Sequence, residues 1–247
     1  MTFNLRIQPS SLGRLAGLGI AVVFSSSVIA NDWTYSAEVY ALGASVDIKS
    51  ARGRSTTADF DEIVDKLEFA LFGAFAAKRD RLALIANILY VNLNDSKVNT
   101  RDSVTRRIEA ELKAVVSTLG AGWEFNRSDT YVIHGVLGAR LLALDTDLTA
   151  EADSLGASDF NESTDVWDAV IGVQGRAELS DQWYLSYYAD IGSGDSDLTW
   201  QAVTSIGYRL ENFDISFGYQ YLKWQFNEML LDELEIAGPA LGLRFHW

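Results

Sequence analysis

The chain contains no cysteine and only two histidines in 247 residues. The lack of cysteine excludes a disulfide framework and leaves no thiolate to ligate a metal. Zinc sites are built from several histidine and cysteine ligands, so two histidines alone argue against one. We therefore expect neither a metal nor a cofactor in this protein.

Basic residues are also scarce. There are 20 Lys and Arg residues against 34 Asp and Glu residues, which gives a formal net charge of −14. Because binding to the phosphates of nucleic acid needs a basic surface, this balance argues against a nucleic-acid partner. The acidic excess indicates a well-solvated surface on a chain long enough to bury a sizeable core.

Long apolar runs are missing except near the N-terminus. The first thirty residues carry Arg6 and Arg14 but no acidic residue, then a short apolar core and a small-residue cleavage site. This pattern is typical of a secretory signal peptide, whereas a membrane-spanning helix needs about 20 apolar residues. We predict cleavage after Ala30, which divides the chain into a signal peptide (1–30) and an exported domain (31–247).

The exported domain alternates apolar and polar residues. In NFDISFGYQYL, for example, Phe213, Ile215 and Phe217 share one face, while Asp214 and Ser216 share the other. A period of two is the signature of a β-strand. Ten such segments predict strands at 33–48, 66–78, 81–94, 104–125, 129–147, 166–179, 182–193, 197–210, 213–226 and 234–247. An even number closes the sheet with both termini on one side, and eight or twelve strands are the alternatives.

The segment 104–118 fits two structures. As a helix, Ile108, Leu112 and Val115 would share a face, and the residue propensities favour this reading. As a strand it completes an even count, and we predict a strand with a bulge near Ser117, where the alternation changes phase. Tight turns alternate with longer connections at 49–65, 95–103, 148–165 and 227–233, the first of which should contain a helical turn.

Two bands of aromatic residues indicate which face of the sheet is outside. One band lies beside the tight turns and the other near the opposite strand ends. Their main members are Trp123, Phe125, Tyr131, Trp167, Trp183, Trp200, Tyr208, Phe213 and Tyr221, and Tyr90, Trp224, Phe245 and Trp247 extend them. Trp and Tyr collect at the two membrane–water interfaces, whereas a soluble barrel would bury its aromatics in mid-strand. The sequence therefore predicts an all-β fold, a transmembrane antiparallel up-and-down β-barrel with its apolar face on lipid.

The polar face then lines the interior of the barrel. The predicted lumen residues are Glu38, Glu68, Lys78, Arg107, Glu109, Glu111, Lys113, His134, Arg140, Arg176, Glu178, Asp190, Arg209 and Arg244. Both signs of charge are present, so a network of ion pairs across the lumen is expected. Ten strands enclose a narrow space, because open porin channels need about sixteen. We interpret the interior as structural packing, with a narrow selective pore as the alternative.

Closure of the sheet involves the last strand. In lipid an unpaired backbone group is costly, so the sheet must close on itself and the last strand should pair with the first. Pro239 lies in that last strand and has no N–H to donate. It should therefore face a gap or a bulge, above the hydrocarbon.

Five segments carry a strand and turn pattern that is found in a known class of proteins. They are residues 59–95, WDAVIGVQGRAELSDQWYLSYYADIG, SDLTWQAVTSIGYRL, FGYQYL and the closing GPALGLRFHW. They resemble outer-membrane β-barrel proteins of Gram-negative bacteria, OmpA-like in style, and in particular a proteobacterial group with few characterised members. The resemblance implies location in the cell outer membrane, contact with its lipid and lipopolysaccharide, and a C-terminal strand that the barrel-assembly machinery reads. That assembly signal falls on Leu241, Leu243, Phe245 and Trp247.

Catalysis is not expected. His134 and His246 both lie near the tight-turn end, far from the extracellular rim where omptin-type proteases hold a histidine and acidic residues. His134 also points inward, whereas phospholipase-type barrels need a Ser–His pair on the outer wall. We expect a structural or surface-interaction barrel without a catalytic site, whose long loops at 49–65 and 148–165 face outward. A narrow channel for small solutes is the alternative.

Overall fold

The computed structural model describes residues 33–50, 55–58, 61, 63–64, 67–101, 104–152, 156–227 and 231–247, so the predicted signal peptide lies outside the described residues. The strands in this part of the chain are β1 (Thr34–Leu42), β2 (Ser45–Ser50), β3 (Ser55–Ala58), β4 (Leu67–Arg79), β5 (Leu82–Arg101), β6 (Val104–Arg127), β7 (Tyr131–Ala152), β8 (Gly156–Glu178), β9 (Trp183–Gly194), β10 (Leu198–Arg209), β11 (Asp214–Gln225) and β12 (Leu231–His246). Helical backbone occurs at residues 61, 63 and 64, within the predicted helical turn. Among the described residues, no helix is long and apolar enough to cross a membrane.

The strands form a closed antiparallel barrel. β1 and β2 are two parts of the predicted first strand, and both pair with β12, on either side of Gly43 and Ala44. β1 pairs with β4 on its other side, which closes the sheet. β3 is an extra strand that pairs with β2. If β1 and β2 are counted as one interrupted strand and β3 is set aside, the barrel has ten strands, and the predicted fold class is confirmed.

Pro239 lies opposite the interruption between β1 and β2. Its carbonyl accepts a hydrogen bond from the N–H of Gly43 (2.8 Å), and the ladders with β1 and β2 stop on either side of it. The missing N–H of the proline therefore costs no ladder bond. Pro239 pairs with Tyr219, two residues before the ring pair of Trp200 and Tyr221. It thus lies between the aromatic bands, and the expected position above the hydrocarbon is wrong.

Residues 104–118 form a strand. β6 pairs with β5 on one side and with β7 on the other over nearly its whole length, and this pairing outweighs the helix propensity of the segment. The register of β6 shifts between Glu124 and Asn126, so the bulge that we expected near Ser117 is misplaced. Because the strand keeps its phase through Ser117, Glu111 and Lys113 face the opposite side from the one predicted.

β5 to β8 are much longer than the other strands. Among the described residues, β5 has no partner on its outer side after Leu93, and β8 meets its partner β9 only at Asp168. Beyond these points the four strands continue together as a sheet that extends away from the barrel. This projecting sheet comprises residues 94–101, 104–111, 145–152 and 156–165. The long connections expected at 95–103 and 148–165 are therefore mostly strand.

The outward face of the barrel is apolar. Leu137, Ile171 and Phe217 point outward and are 67%, 63% and 63% exposed, whereas Val136 and Gln220 on the inner face are buried. A soluble protein rarely exposes such a continuous apolar surface, but on a membrane barrel this surface contacts lipid. The geometry therefore agrees with an apolar outer face and an enclosed inner face.

The predicted aromatic bands lie on this outer face. The ladders place seven of the nine outward, and Phe125, at the register shift of β6, is 56% exposed. The ring of Phe213 lies 6.1 Å from that of Phe245 on the same outer face. Trp224, also expected in these bands, is instead fully buried inside the barrel. At the tight-turn end, Trp183 packs edge-on against Tyr208 with ring centroids 4.8 Å apart. Toward the opposite end, Trp200 stacks on Tyr221 at 4.5 Å. Two levels of amphipathic rings match the two interfaces of a bilayer.

Candidate functional site in the barrel interior

The interior of the barrel is divided into three layers along its axis. The layer at the tight-turn end is charged, the middle layer surrounds Arg140, and the upper layer, toward the projecting sheet, is apolar. Together they determine whether the lumen can act as a pore.

Arg140 on β7 extends across the lumen and is fully buried. Its Nε donates to the hydroxyl of Thr118 on β6 (3.2 Å), and its Nη1 donates to that of Thr199 on β10 (2.9 Å). Its Nη2 donates to the Gln201 amide oxygen on β10 (2.7 Å) and to the Asp190 carboxylate on β9. These five residues, the Arg140 layer, tie four strands together across the interior.

Asp190 balances the charge of Arg140. Both side chains are inaccessible to solvent, and Asp190 also accepts a hydrogen bond from the Tyr188 hydroxyl (2.5 Å). A buried ion pair adds little net stability compared with apolar packing, but loss of one partner leaves a strongly destabilising unpaired charge. The pair therefore holds the Arg140 guanidinium in the centre of the lumen.

An apolar plug fills the lumen above the Arg140 layer. Its most deeply buried members are Trp224 and Leu222 from β11, Leu142 from β7 and Val166 from β8. The Trp224 ring lies 6.0 Å from the Arg140 guanidinium, so the two layers are in contact through a cation–π geometry. The expectation of a polar lumen does not hold at this level. Water would have to pass both the plug and the guanidinium to cross the barrel.

Below Arg140 the lumen widens into two adjoining cavities. The first, of about 210 Å³, reaches up to Thr118 and Gln201. The second, of about 260 Å³, lies at the tight-turn end. We call the second cavity the cationic vestibule, and its charged and hydroxyl-bearing wall includes Ser36, Lys78, Arg176, Arg209, Asp214 and Arg244.

Three guanidinium groups surround the ring of Tyr184 beside this vestibule. The guanidinium centres of Arg176, Arg209 and Arg244 lie 3.9, 5.1 and 5.9 Å from the ring centroid. The Tyr184 hydroxyl donates to Asp214 (2.8 Å). Cations are attracted to the face of a tyrosine ring, but one neutral ring does not compensate three positive charges.

Two of these arginines have carboxylate partners. The Nε and Nη2 of Arg244 donate to Glu38 at 2.9 and 2.6 Å, which pairs β12 with β1 at the closure of the barrel. The Nη2 of Arg209 lies within 2.6 and 2.7 Å of the two carboxylate oxygens of Glu178. These pairs bridge neighbouring parts of the wall and leave the lumen side of the vestibule positive.

The ladders place nine of the predicted lumen residues on the inner face. These nine are Glu38, Lys78, His134, Arg140, Arg176, Glu178, Asp190, Arg209 and Arg244. The side chains of Glu68, Arg107 and Glu109 lie outside the described part of the chain. The inner residues form two separate groups, one around Arg140 and one around Tyr184. The sequence predicts a single set of lumen residues and does not show this division.

Glu111 and Lys113 are on the outer face and not in the lumen. β6 runs without a register shift from them to Leu119 and Trp123, whose side chains are exposed outside the barrel. The two residues form an ion pair with each other (2.8 Å), and the hydrogen bond from Lys113 lowers the pKa of the Glu111 carboxyl. Their assignment to the lumen assumed a bulge that the strand does not contain.

Several interior residues were missed because they carry no charge or begin a strand. Thr118, Thr199 and Gln201 hold Arg140, and Tyr184 and Asp214 organise the vestibule. Each lies at a polar-face position of its strand, which is the only signal that the sequence offers. Alternation identifies their direction, but it does not identify their partners across the lumen.

Both histidines of the chain lie at the tight-turn end. His134 is buried on the inner face of β7, and the Nδ1 of His246 lies 3.8 Å from Asp214. In the part of the chain that the structure describes, no three His, Asp or Glu side chains are grouped in a way that could hold a metal ion. The end of the barrel that bears the projecting sheet therefore has no histidine for a hydrolytic site.

No protein-family model and no curated protein matches the chain. Among solved structures, the outer membrane protease OmpT of Escherichia coli superposes with a TM-score of 0.48 at 10% identity, over 87% of this chain and 97% of that one. The translocator domain of autotransporter NalP of Neisseria meningitidis gives 0.46 at 9% identity, over 87% and 88%. The attachment invasion locus protein Ail of Yersinia pestis gives 0.36 at 12% identity, over 88% and 99%. The solved structures that the chain resembles are outer-membrane β-barrels of Gram-negative bacteria, and the likeness is one of fold.

Proposed function

We propose that the protein is an integral barrel of the bacterial outer membrane that acts through its surface rather than through catalysis or transport. The observation that carries this proposal is the projecting sheet. β8 continues from Gly156 to Trp167 before it meets β9, and at about 3.3 Å per residue this is roughly 40 Å of strand. The sheet lies at the end opposite the chain termini, which is the extracellular end of such barrels.

The projecting sheet has an unpaired edge along β8. The N–H and C=O of Trp167 both bond to Asp195, so Trp167 directs its backbone groups toward the side of β9. Alternate residues of a strand share this direction, which gives Asp165, Ser163 and Asn161 the same orientation. Among the described residues no strand pairs with this edge. An exposed edge can accept an added strand, which supports a role in surface interaction.

The closed lumen argues against the alternative of a narrow channel. Arg140 is held by four hydrogen-bond partners, and the apolar plug above it excludes water. The cavities below Arg140 do not supply a path to the other end. We therefore propose that the barrel does not conduct ions. Its apolar outer face contacts membrane lipid and the acyl part of lipopolysaccharide.

A first prediction concerns conductance. We expect the refolded protein to give no stepwise current in a planar lipid bilayer, because ions cannot pass the Arg140 layer and the plug. Folding of the same sample is checked by gel migration with and without boiling, since a folded membrane barrel migrates differently until it is heated. Reproducible stepwise currents from the folded sample would favour the channel and refute the proposed function.

A second prediction concerns orientation, and it uses the absence of cysteine from the chain. We expect Ser163→Cys, on the projecting sheet, to react with a membrane-impermeant maleimide on intact cells. Asn212→Cys, in an exposed turn at the other end, should react only after the outer membrane is permeabilised. The unsubstituted chain is the blank. The opposite pattern of labelling would show that the projecting sheet is not on the cell surface.

A further inference from the structure

The cationic vestibule contains more positive than negative charge. Of the four cations on its wall, Arg244 is paired with Glu38 and Arg209 is paired with Glu178. Lys78 and Arg176 complete the four, and among the described residues no ion pair joins either of them to a carboxylate. Asp214, the carboxylate on the same wall, accepts a hydrogen bond from the Tyr184 hydroxyl and lies 3.8 Å from His246. Lys78 and Arg176 are both partly buried. Because a buried charge is stable only when it is paired and hydrogen-bonded, these two cations lack the partner that their setting requires.

Contacts within the protein hold the Arg176 side chain in place even when no anion is bound. Its guanidinium packs against the Tyr184 ring at 3.9 Å, and the ring is held by the hydrogen bond to Asp214. Arg176 also lines the vestibule, whose wall includes Lys78 and Ser36. The guanidinium of Arg176 on β8 and the ammonium of Lys78 on β4 therefore border the same cavity.

The geometry points to a binding site for a small phosphate-type oxyanion between Lys78 and Arg176. The guanidinium can form paired, charge-assisted hydrogen bonds to two oxygens of a tetrahedral anion, and the ammonium adds a point charge. A cavity of about 260 Å³ accommodates a five-atom oxyanion with bridging water, since one water occupies about 30 Å³. The vestibule lies at the periplasmic end, so the phosphate could be free or could belong to the headgroup of a lipid. This inference is independent of the surface role proposed above.

Binding is tested with the full mature chain refolded in a zwitterionic detergent. Inorganic phosphate is titrated at constant ionic strength and followed by calorimetry and by the shift in thermal unfolding. We expect saturable binding that weakens about ten- to a hundredfold in Lys78→Met and in Arg176→Met, because each removes a charge-assisted contact. Lys223→Met is the matched control, since Lys223 pairs with Glu233 at 3.1 Å near the other end of the barrel.

A second readout separates binding from a purely structural role. If Lys78 is an unpaired cation, Lys78→Met should be at least as stable as the unsubstituted protein without phosphate, and it should gain less stability than that protein at the same phosphate concentration. A structural cation would instead show a loss of stability that phosphate does not affect. Gel migration with and without boiling confirms that each variant is folded.

The source of the phosphate is resolved by a parallel titration with micelles that contain phosphatidylglycerol. Binding of inorganic phosphate that depends on both residues supports a free anion as ligand. Binding of phosphatidylglycerol alone, with the same dependence, supports a lipid headgroup in the same site. If neither ligand binds, or if both bind equally well to the Lys78→Met, Arg176→Met and Lys223→Met variants, the proposed site does not exist.

Discussion

Replacement of Arg140 by methionine is expected to lower the free energy of unfolding by about 3–5 kcal/mol. The substitution removes a fully buried guanidinium and leaves Asp190 as a buried carboxylate whose ionic partner is gone. The amide of Gln201 and the hydroxyl of Thr199 also lose a donor. The measurement is a urea titration of the refolded barrel in lipid, followed by gel migration and tryptophan fluorescence.

Two further variants make this prediction specific. Lys49→Met removes an exposed ammonium from a pair in which Glu233 keeps Lys223 as a partner, so we expect it to leave the free energy of unfolding nearly unchanged. Arg140→Met combined with Asp190→Leu should recover most of the lost stability, because an apolar pair of similar volume often replaces a buried ion pair without loss. If Arg140→Met costs no more than Lys49→Met, Arg140 does not brace the lumen.

The ten barrel strands could be predicted because each of them separates two different environments, the lipid on one face and the lumen on the other. Where one face of a strand meets lipid and the other meets the enclosed lumen, side-chain polarity must alternate with a period of two. The segment predicted at 182–193 is strand from Trp183 to Gly194, and the one predicted at 197–210 is strand from Leu198 to Arg209. Aromatic residues occur at both membrane–water interfaces, so the sequence also predicts which face of the sheet is outside.

The projecting sheet could not be predicted in the same way. The segment TDLTAEADSLGASDFNESTD is predominantly polar and therefore resembles a loop. The information that makes it a strand is the pairing of β7 with β8, which begins within the membrane and continues to Ala152 and Gly156. Pairing is a property of the assembled sheet, and a single segment does not reveal it.

The arrangement of the interior side chains could be predicted only in part, for a related reason. The direction of Arg140 follows from the alternation of β7, but its partner Thr199 is 59 positions away along the chain. The stagger between strands decides which inward residues meet, and no local pattern specifies that stagger. The plug illustrates the same limit, because the run Leu141-Leu142-Ala143-Leu144 is apolar on both faces and carries no alternation at all.

Deletion of Trp247 is expected to reduce the amount of folded barrel in the outer membrane several-fold. We propose that the C-terminal residues Leu241, Leu243, Phe245 and Trp247 serve as the assembly signal, in line with the resemblance noted in the sequence. The structure gives Trp247 a second role at the closure of the barrel. Its N–H and C=O bond to Tyr35 at 3.1 and 2.8 Å, and the two rings stack with centroids 6.1 Å apart.

The two roles can be separated with matched variants. Trp247→Phe keeps the aromatic ring and both backbone bonds, so it should assemble like the unsubstituted chain. Trp247→Ala keeps only the backbone bonds and should lose about 0.5–1.5 kcal/mol of stability in vitro, the usual contribution of an aromatic pair. So small a loss cannot account for a several-fold reduction of folded protein in cells. If Trp247→Ala reaches the membrane at the level of Trp247→Phe, the terminal ring contributes to the closure of the barrel and not to its assembly.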